Sequence, residues 1–346
     1  MRAVVLRQGS LVVDEVAEPV PAHQQSLVRV VACGICGSDL HFVHHGRHMT
    51  QLSREGGSPS TLDVDRDIVM GHEFVVEVLE HGPGTQGLPV GSFATSMPII
   101  FTGFPPGPDN VTSMAYSNIF TGGYGERMLV STPMLLAVPN GLVVRHAALT
   151  EPMAVGIHAV ARSAIVAGES ALVHGCGPVG LAVIAALRLA GVEVIVAADF
   201  SPVRRALAAR MGATTVVDPA VEEAIDGWKR VDGTSTLVQF EAIGLPGILN
   251  NAMKRAPRHS RIVVVGVCMQ DDMVQPIFGI NKELTLQFVL GYTPEEFSAT
   301  LDHLAEGRIE VEALITGSVG LAGVADAFAA LAHPDQHVKI LVEPER

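Results

Sequence analysis

The stretch Ala171-Leu172-Val173-His174, followed by Gly175-Cys176-Gly177-Pro178-Val179-Gly180, constrains the fold of this 346-residue chain more than any other feature. A short apolar strand that ends in Gly-x-Gly-x-x-Gly and opens a helix, here Val179 to Leu189, is the setting in which that pattern holds dinucleotides. The first glycine permits a tight turn, the second lets the backbone approach a pyrophosphate, and the third packs helix against strand. The helix N-terminus adds unpaired N–H groups and a partial positive charge. Downstream the pattern repeats: strand Glu193 to Ala198, helix Pro202 to Met211, strand Leu237 to Glu241, helix Leu245 to Lys254, strand Arg261 to Val267. Such alternation implies a doubly wound parallel sheet covered on both faces. Asp199 ends the second of these strands, where a carboxylate accepts hydrogen bonds from ribose hydroxyls and repels a 2′-phosphate, which favours NAD over NADP. Arg204 and Arg205 follow closely; they could meet a 2′-phosphate, flank an adenosine or lie in solvent.

Before residue 152 the texture differs. Short strands at Leu27 to Ala32, Phe74 to Leu79 and Met128 to Ser131 are broken by glycine and proline. Gly103 to Pro108 must be irregular, because proline and glycine together defeat helix and sheet pairing. Arg47 to Asp67 reads as a polar surface loop of unusual length, of the kind that serves as a lid or binding loop. After residue 288 come helices at Pro294 to Glu306 and Val324 to Leu331 and a strand at Lys339 to Val342, a tail that reads as rejoining the first part. The resulting division is 1–153 with 289–346 in one domain and 154–288 in the other.

The first part carries donors suited to a metal. Cys36 offers a thiolate, His72 an imidazole, and Glu73 and Glu151 offer carboxylates from separate places. Catalytic zinc takes three such ligands and keeps one position open. Asp39, three residues from Cys36, could orient His72 from behind, as metal-bound histidines usually require. His44, His45 and His48 sit beside Gly46 and Arg47, a setting that suits solvated histidines. Cys33 and Cys36 form a C-x-x-C, but the remaining cysteines, Cys176 and Cys268, form no second one, so a four-cysteine structural site cannot be assembled.

A net charge of −13 argues against nucleic acid or anionic lipid as a partner. Leu181 to Ala198 is apolar, but Arg188, Gly191 and Glu193 interrupt it, so it reads as helix and strand and not as a membrane span. Met1 to Gly9 lacks the apolar run of a signal peptide, and a cytoplasmic location is expected.

Gly34-Ile35-Cys36-Gly37-Ser38-Asp39-Leu40-His41 and Gly71-His72-Glu73 resemble the zinc-dependent alcohol dehydrogenases of the medium-chain dehydrogenase/reductase superfamily. The similarity runs end to end, through Gly122-Gly123-Tyr124-Gly125-Glu126, Glu151-Pro152-Met153-Ala154-Val155, Phe240-Glu241-Ala242-Ile243-Gly244, Lys282-Glu283-Leu284-Thr285-Leu286 and Lys339-Ile340-Leu341-Val342. It is strongest with the sorbitol, threonine and butanediol dehydrogenase branch. The resemblance implies an α/β protein: a Rossmann dinucleotide-binding domain plus a mixed, mainly β, GroES-like catalytic domain. It makes Cys36 and His72 zinc ligands, puts Glu151 at the third position and Glu73 at a ligand position that exchanges with water. Ser38 matches the hydroxyl that passes the substrate proton on, His41 the end of that relay, and Asp199 and Arg204 the residues at the adenosine ribose.

The implied reaction is reversible hydride transfer between a secondary alcohol or polyol and NAD, with zinc polarising the substrate oxygen. The implied assembly is a homodimer or homotetramer, formed through edge strands near Ile262 to Val267 and Thr285 to Tyr292. The family's structural-zinc lobe would fall at Ser96 to Gly123, which has no cysteine, so one zinc per chain is expected. Two other readings compete: a zinc-independent quinone or enoyl reductase of the same fold, and a non-catalytic protein on the same scaffold. The first has no use for Cys36, His72 and Glu151 together, and intact Ser38 and His41 speak against the second.

Overall fold

Strands and tight turns dominate the first 140 residues of the computed structural model, which describes all residues except 59–60, 104–109 and 334. In chain order come β1 (Arg2–Arg7), β2 (Ser10–Glu15), β3 (Gln25–Gly34), α1 (Gly37–Glu55), β4 (Glu73–His81), β5 (Phe93–Thr95), β6 (Ile99–Phe101), β7 (Val111–Ser113), β8 (Arg127–Ser131) and β9 (Leu136–Ala137). Helix α2 (Thr150–Ser163) leads into β10 (Ser170–His174), α3 (Pro178–Leu189), β11 (Ile195–Ala198), α4 (Pro202–Met211), β12 (Thr215–Val217), α5 (Ala224–Val231), β13 (Leu237–Glu241), α6 (Ile248–Arg255), β14 (Arg261–Val264), α7 (Pro276–Lys282), β15 (Thr285–Phe288) and α8 (Pro294–Ala305). The chain ends with β16 (Ile315–Val319), α9 (Val324–Leu331) and β17 (Lys339–Val342).

Two compact units result. One comprises Met1–Glu151, Ile315–Ala332 and Lys339–Arg346, the other Pro152–Leu314 and His333–Val338. The first holds the mixed sheet ordered β16-β17-β3-β4-β5-β9, with β8 also on β3. Its core packs Val28, Val30, Phe74, Val76, Val78 and Met128 with Phe42, Tyr124 and Phe328. The second holds a parallel sheet ordered β12-β11-β10-β13-β14-β15. Strands β10 and β11 are buried along almost their whole length, as strands covered on both faces must be. Together these are the Rossmann-type and GroES-like parts that the motifs implied.

Three details differ from the sequence reading. Arg47 to Glu55, read as loop, belongs to α1, and the connecting segment begins at Gly56. The buried face of α1 is Asp39, Phe42, Gly46 and Thr50, a spacing of three, four and four residues. Only one of those side chains is an apolar marker, so the helical period does not show in the hydropathy pattern. Second, α8 lies in the second unit, with the return at Ile315 instead of residue 289. Its Phe297, Leu301 and Leu304 are buried, and Glu296 accepts a 2.8 Å hydrogen bond from His158 Nδ1 on α2. Third, Ile262 to Val264 is an interior strand between β13 and β15, so of the two proposed edges only β15 is one. The irregular segment expected at Gly103 to Pro108 lies, beyond Gly103, outside the described residues.

Arg261 anchors the second unit. Its Nε donates to Ser163 O at 3.0 Å, closing the C-terminus of α2, and its guanidinium forks onto Glu169. That pairing, more than partial burial opposes it, holds the Glu169 carboxyl below its usual range. A depressed carboxyl stabilises the fold above its unfolded-state value, and that stability is lost as the pH falls through the folded value. Arg261→Ala should cost about 1–2 kcal/mol at neutral pH and less in acid, checked by urea unfolding at both.

Candidate active site

Three neighbouring strands deliver one group of donors. The antiparallel register sets Gly34 of β3 opposite Glu73 of β4 and opposite Leu341 of β17. Lys339, two residues before Leu341, brings its ammonium to both Glu73 oxygens, at 2.7 and 2.6 Å, and to Ile35 O at 3.0 Å. Both side chains are fully buried. A Cβ on residue 34 would stand 2.0 Å from Glu73 Oε2, so only glycine leaves room for this pair. Burial, the largest single influence, would lower the Lys339 pKa; the charge and hydrogen bonding of Glu73, with Cys36 and Glu151 added, together raise it.

Past Gly34 the chain turns into α1, whose N-cap is Cys36. Asp39, in the first helical turn, accepts the Cys36 N–H at 3.1 Å, the Tyr124 hydroxyl at 2.7 Å and the Tyr116 hydroxyl at 2.9 Å. His72, just ahead of β4, turns its buried Nδ1 to Asp39 Oδ1 at 3.5 Å and makes no closer hydrogen bond there. Burial would raise the Asp39 pKa, but His72 and the converging donors lower it, so the carboxylate stays ionised. In turn, burial would lower that of His72, and Asp39 chiefly raises it well above the imidazole range.

Cys36 Sγ, a His72 ring nitrogen and a Glu73 oxygen all lie within 4.8 Å of one another, and among the described residues this is the group of three or more such side chains that could hold a metal ion. Thiolate, imidazole and carboxylate within that span suit zinc, and Asp39, 3.5 Å from the buried Nδ1, stands where the outer partner of such a histidine belongs. Glu151, in the first turn of α2, does not join the group, although its charge reaches Lys339. Ser38 and His41 lie on α1 with Cys36 at its cap. Burial, then His45 and His44, lower the His41 pKa, which favours a neutral imidazole. Cys33 is buried in the core with its Sγ toward Gly34 O, and all four cysteines are free thiols.

In the second unit, Gly175 turns with φ +87°, and a Cβ on Gly180 would stand 1.9 Å from Gly175 O. Gly177 caps α3 ahead of Pro178 and Val179, and a Cβ there would meet only Arg204 Nη1, at 3.9 Å. That open cradle at a helix N-terminus fits a pyrophosphate. Asp199 ties the turn to the next strand, accepting Cys176 N–H at 2.7 Å and Ser201 N–H at 2.8 Å. Arg205 is committed to Asp199 O, Phe200 O and Asp218, whereas Arg204 Nε is buried with no hydrogen-bond partner.

The sequence pointed to Cys36, His72, Glu73 and Asp39, and the structure brings them together. It did not point to Lys339, Tyr116 or Tyr124 as members of the cluster. Lys339 stands 266 positions from Glu73 and within an apolar strand motif, so its one usable signal was a lysine in the middle of an otherwise buried strand.

Residues 22–140 match the model of the alcohol dehydrogenase GroES-like domain, and residues 178–306 that of the zinc-binding dehydrogenases. The chain is 32% identical over 342 residues to (R,R)-butanediol dehydrogenase of Bacillus subtilis, covering 97% of each. It is 28% identical to sorbitol dehydrogenase of the same organism, covering 95% of this chain and 93% of the relative. A putative zinc-binding dehydrogenase from Sinorhizobium meliloti, solved bound to NADP, superposes with a TM-score of 0.82 at 28% identity, covering 99% of both chains. A sheet unit with a candidate metal group, a glycine turn opening a helix, and these relatives together mark an oxidoreductase. The chain belongs to the zinc-type alcohol dehydrogenases of the medium-chain dehydrogenase/reductase superfamily. No described helix is long and apolar enough to cross a membrane.

Proposed function

We propose that this enzyme oxidises a secondary alcohol or polyol to a ketone with NAD, reversibly, at one zinc ion held by Cys36, His72 and a carboxylate. The carrying observation is the convergence of Cys36, His72 and Glu73 within 4.8 Å beside a buried ionised Asp39. The relatives' names, butanediol and sorbitol dehydrogenase, support a substrate whose reacting carbon bears a hydroxyl and two carbons. Of the two carboxylates, Glu73 is the one grouped with Cys36 and His72 and is taken as third ligand, with Glu151 the alternative.

Zinc bound there supplies Lewis-acid polarisation of the substrate oxygen. The residues do the rest. Asp39 stands 3.5 Å from His72 Nδ1, on the side from which it would orient the ring if the other nitrogen held the ion. Lys339 holds the Glu73 carboxylate and lowers the cost of burying it. Ser38 takes the alcohol proton and His41, kept neutral, receives it. The glycine turn with Asp199 and Arg204 holds the dinucleotide. Zinc analysis together with NADH production from a panel of secondary alcohols tests the reading; metal-free active protein, or zinc protein inert on every alcohol, would overturn it.

Asp199 supports NAD, because a 2′-phosphate would meet a carboxylate there and Arg205 is tied down. The NADP-bound relative makes this a pointed comparison. Wild type should favour NAD in kcat/KM, and Asp199→Ala should lose about tenfold of that preference. A wild-type preference for NADP would assign control to Arg204.

The enzyme assembles, in this reading, as a homodimer or homotetramer through β15. That strand is an unpaired edge among the described residues, and Phe288 at its end and Leu290 just beyond are 64% and 90% exposed. Leu290→Glu should shift the particle toward monomer in sedimentation; an unchanged mass would remove β15 from the interface. A reducing cytoplasm suits the free thiols.

A further inference from the structure

Helix α1 carries four histidines, His41, His44, His45 and His48, of which the proton relay uses one. The buried face of the helix is Asp39, Phe42, Gly46 and Thr50. At about 100° per residue the histidines fall on the opposite side, one above another along about two turns. His44 is exposed and the other three are half-buried. Because α1 runs on to Glu55 instead of opening into a loop at Arg47, the strip is held on one helical face. None of the four belongs to the group of Cys36, His72 and Glu73.

His41 and His45 are four residues apart. That spacing sets two Cβ atoms about 5–6 Å from each other and lets two imidazoles of one helix reach a single ion, as in zinc helices of the His-Glu-x-x-His type. His44 borders the pair, its ring centroid 6.4 Å from that of His45. Burial, then His45 and His44, hold the His41 pKa below the usual imidazole value, which favours the neutral ring a metal requires. The neighbouring Arg47 is ion-paired with Asp65, which offsets its repulsion of a cation. Imidazole nitrogens suit zinc.

A neutral imidazole has one N–H and one lone pair. The relay ends at that lone pair, and a metal ion bound to His41 takes the same one. The two uses exclude each other whichever ring nitrogen carries the proton. With His41 metal-bound, a proton released by the substrate has no acceptor beyond Ser38.

Resting on the reading of His41 as the end of the relay, we propose that His41 and His45 chelate a second zinc ion, additional to the one at Cys36 and His72, and that this ion shuts the relay and inhibits alcohol oxidation. With two imidazoles and water around it, the second ion binds more weakly than one held by a thiolate. The strip therefore makes the enzyme sensitive to free zinc beyond what fills the catalytic site.

The test starts from enzyme loaded with its single zinc and dialysed against rising concentrations of free Zn²⁺. Bound metal and NADH production from a secondary alcohol are measured on the same samples. Wild type should take up one further ion while kcat falls about tenfold, with KM for the alcohol little changed, because the end of the relay is blocked and not the substrate position. Return to low zinc should restore kcat. His45→Gln leaves His41 in place; it should keep wild-type kcat at low zinc, yet lose the further ion and the inhibition together. Wild type that takes up no further ion would overturn the proposal. So would a further ion that leaves kcat unchanged, or inhibition that persists in His45→Gln and so places the inhibitory zinc elsewhere. An enzyme inert on every alcohol at low zinc would instead fail the dehydrogenase reading, and the metal counts of wild type and His45→Gln would still decide the ion site.

Discussion

Cys36→Ser should leave a folded protein that holds little zinc and turns over about a thousandfold more slowly. A hydroxyl is a poor zinc ligand beside a thiolate, and losing about 4 kcal/mol of charge stabilisation at the substrate oxygen corresponds to three powers of ten. The substitution separates chemistry from folding unusually well, because Cys36 is also the N-cap of α1 and serine is among the preferred N-cap residues. Unfolding midpoints measured on metal-free wild type and variant should therefore agree, while metal analysis and kcat diverge. If the variant kept both zinc and turnover, the ion would have to be held without this thiol, and the group formed with His72 and Glu73 would lose its meaning.

Lys339→Met should have the opposite signature, a large loss of stability. Methionine fills much of the volume of the lysine stem, but it leaves Glu73 buried and charged with no counter-ion. Removing one partner of a buried pair costs about 3–5 kcal/mol, which urea unfolding would read directly. Adding Glu73→Leu should restore much of that stability, since replacing both charges with apolar groups is often close to neutral. The double variant should still fail to bind zinc normally. Recovery of stability without recovery of metal would show that the pair serves the site and not the fold; a single variant as stable as wild type would mean that Glu73 finds another cation.

These two residues also mark how far the sequence could be read. Cys36, Asp39, His72 and Glu73 are legible because each belongs to a short local motif whose chemistry is recognisable. Most strands and helices from Ser170 to Val264 are legible because buried parallel strands are continuous apolar runs bounded by helix caps, but the three-residue β12 and the short α5 are not. Helix α1 is not, since its buried face uses Asp39, Gly46 and Thr50, whose burial depends on a charge network, on a close approach to the Phe42 ring and on a hydroxyl bonded to Gly46 O. Tyr116 and Lys339 are hidden for a different reason. Their partners come from remote segments, and no period within their own stretch of chain announces a contact across 78 or 266 positions.

The place of β17 bears on how the polypeptide is born. It completes the sheet of the first unit between β3 and β16, yet it is made after every other described strand. Through the synthesis of everything from residue 82 to residue 338, the nascent chain carries Glu73 without its ammonium partner and β3 without its final neighbour. The unit whose segments emerge first is thus the one whose hydrogen bonding and charge balance close last, whereas the intervening parallel sheet, contiguous in sequence, can close as it emerges. Translation that stalls or stops short of Lys339 leaves an open strand edge beside a buried uncompensated charge, a species that strand-binding chaperones and proteases are built to find.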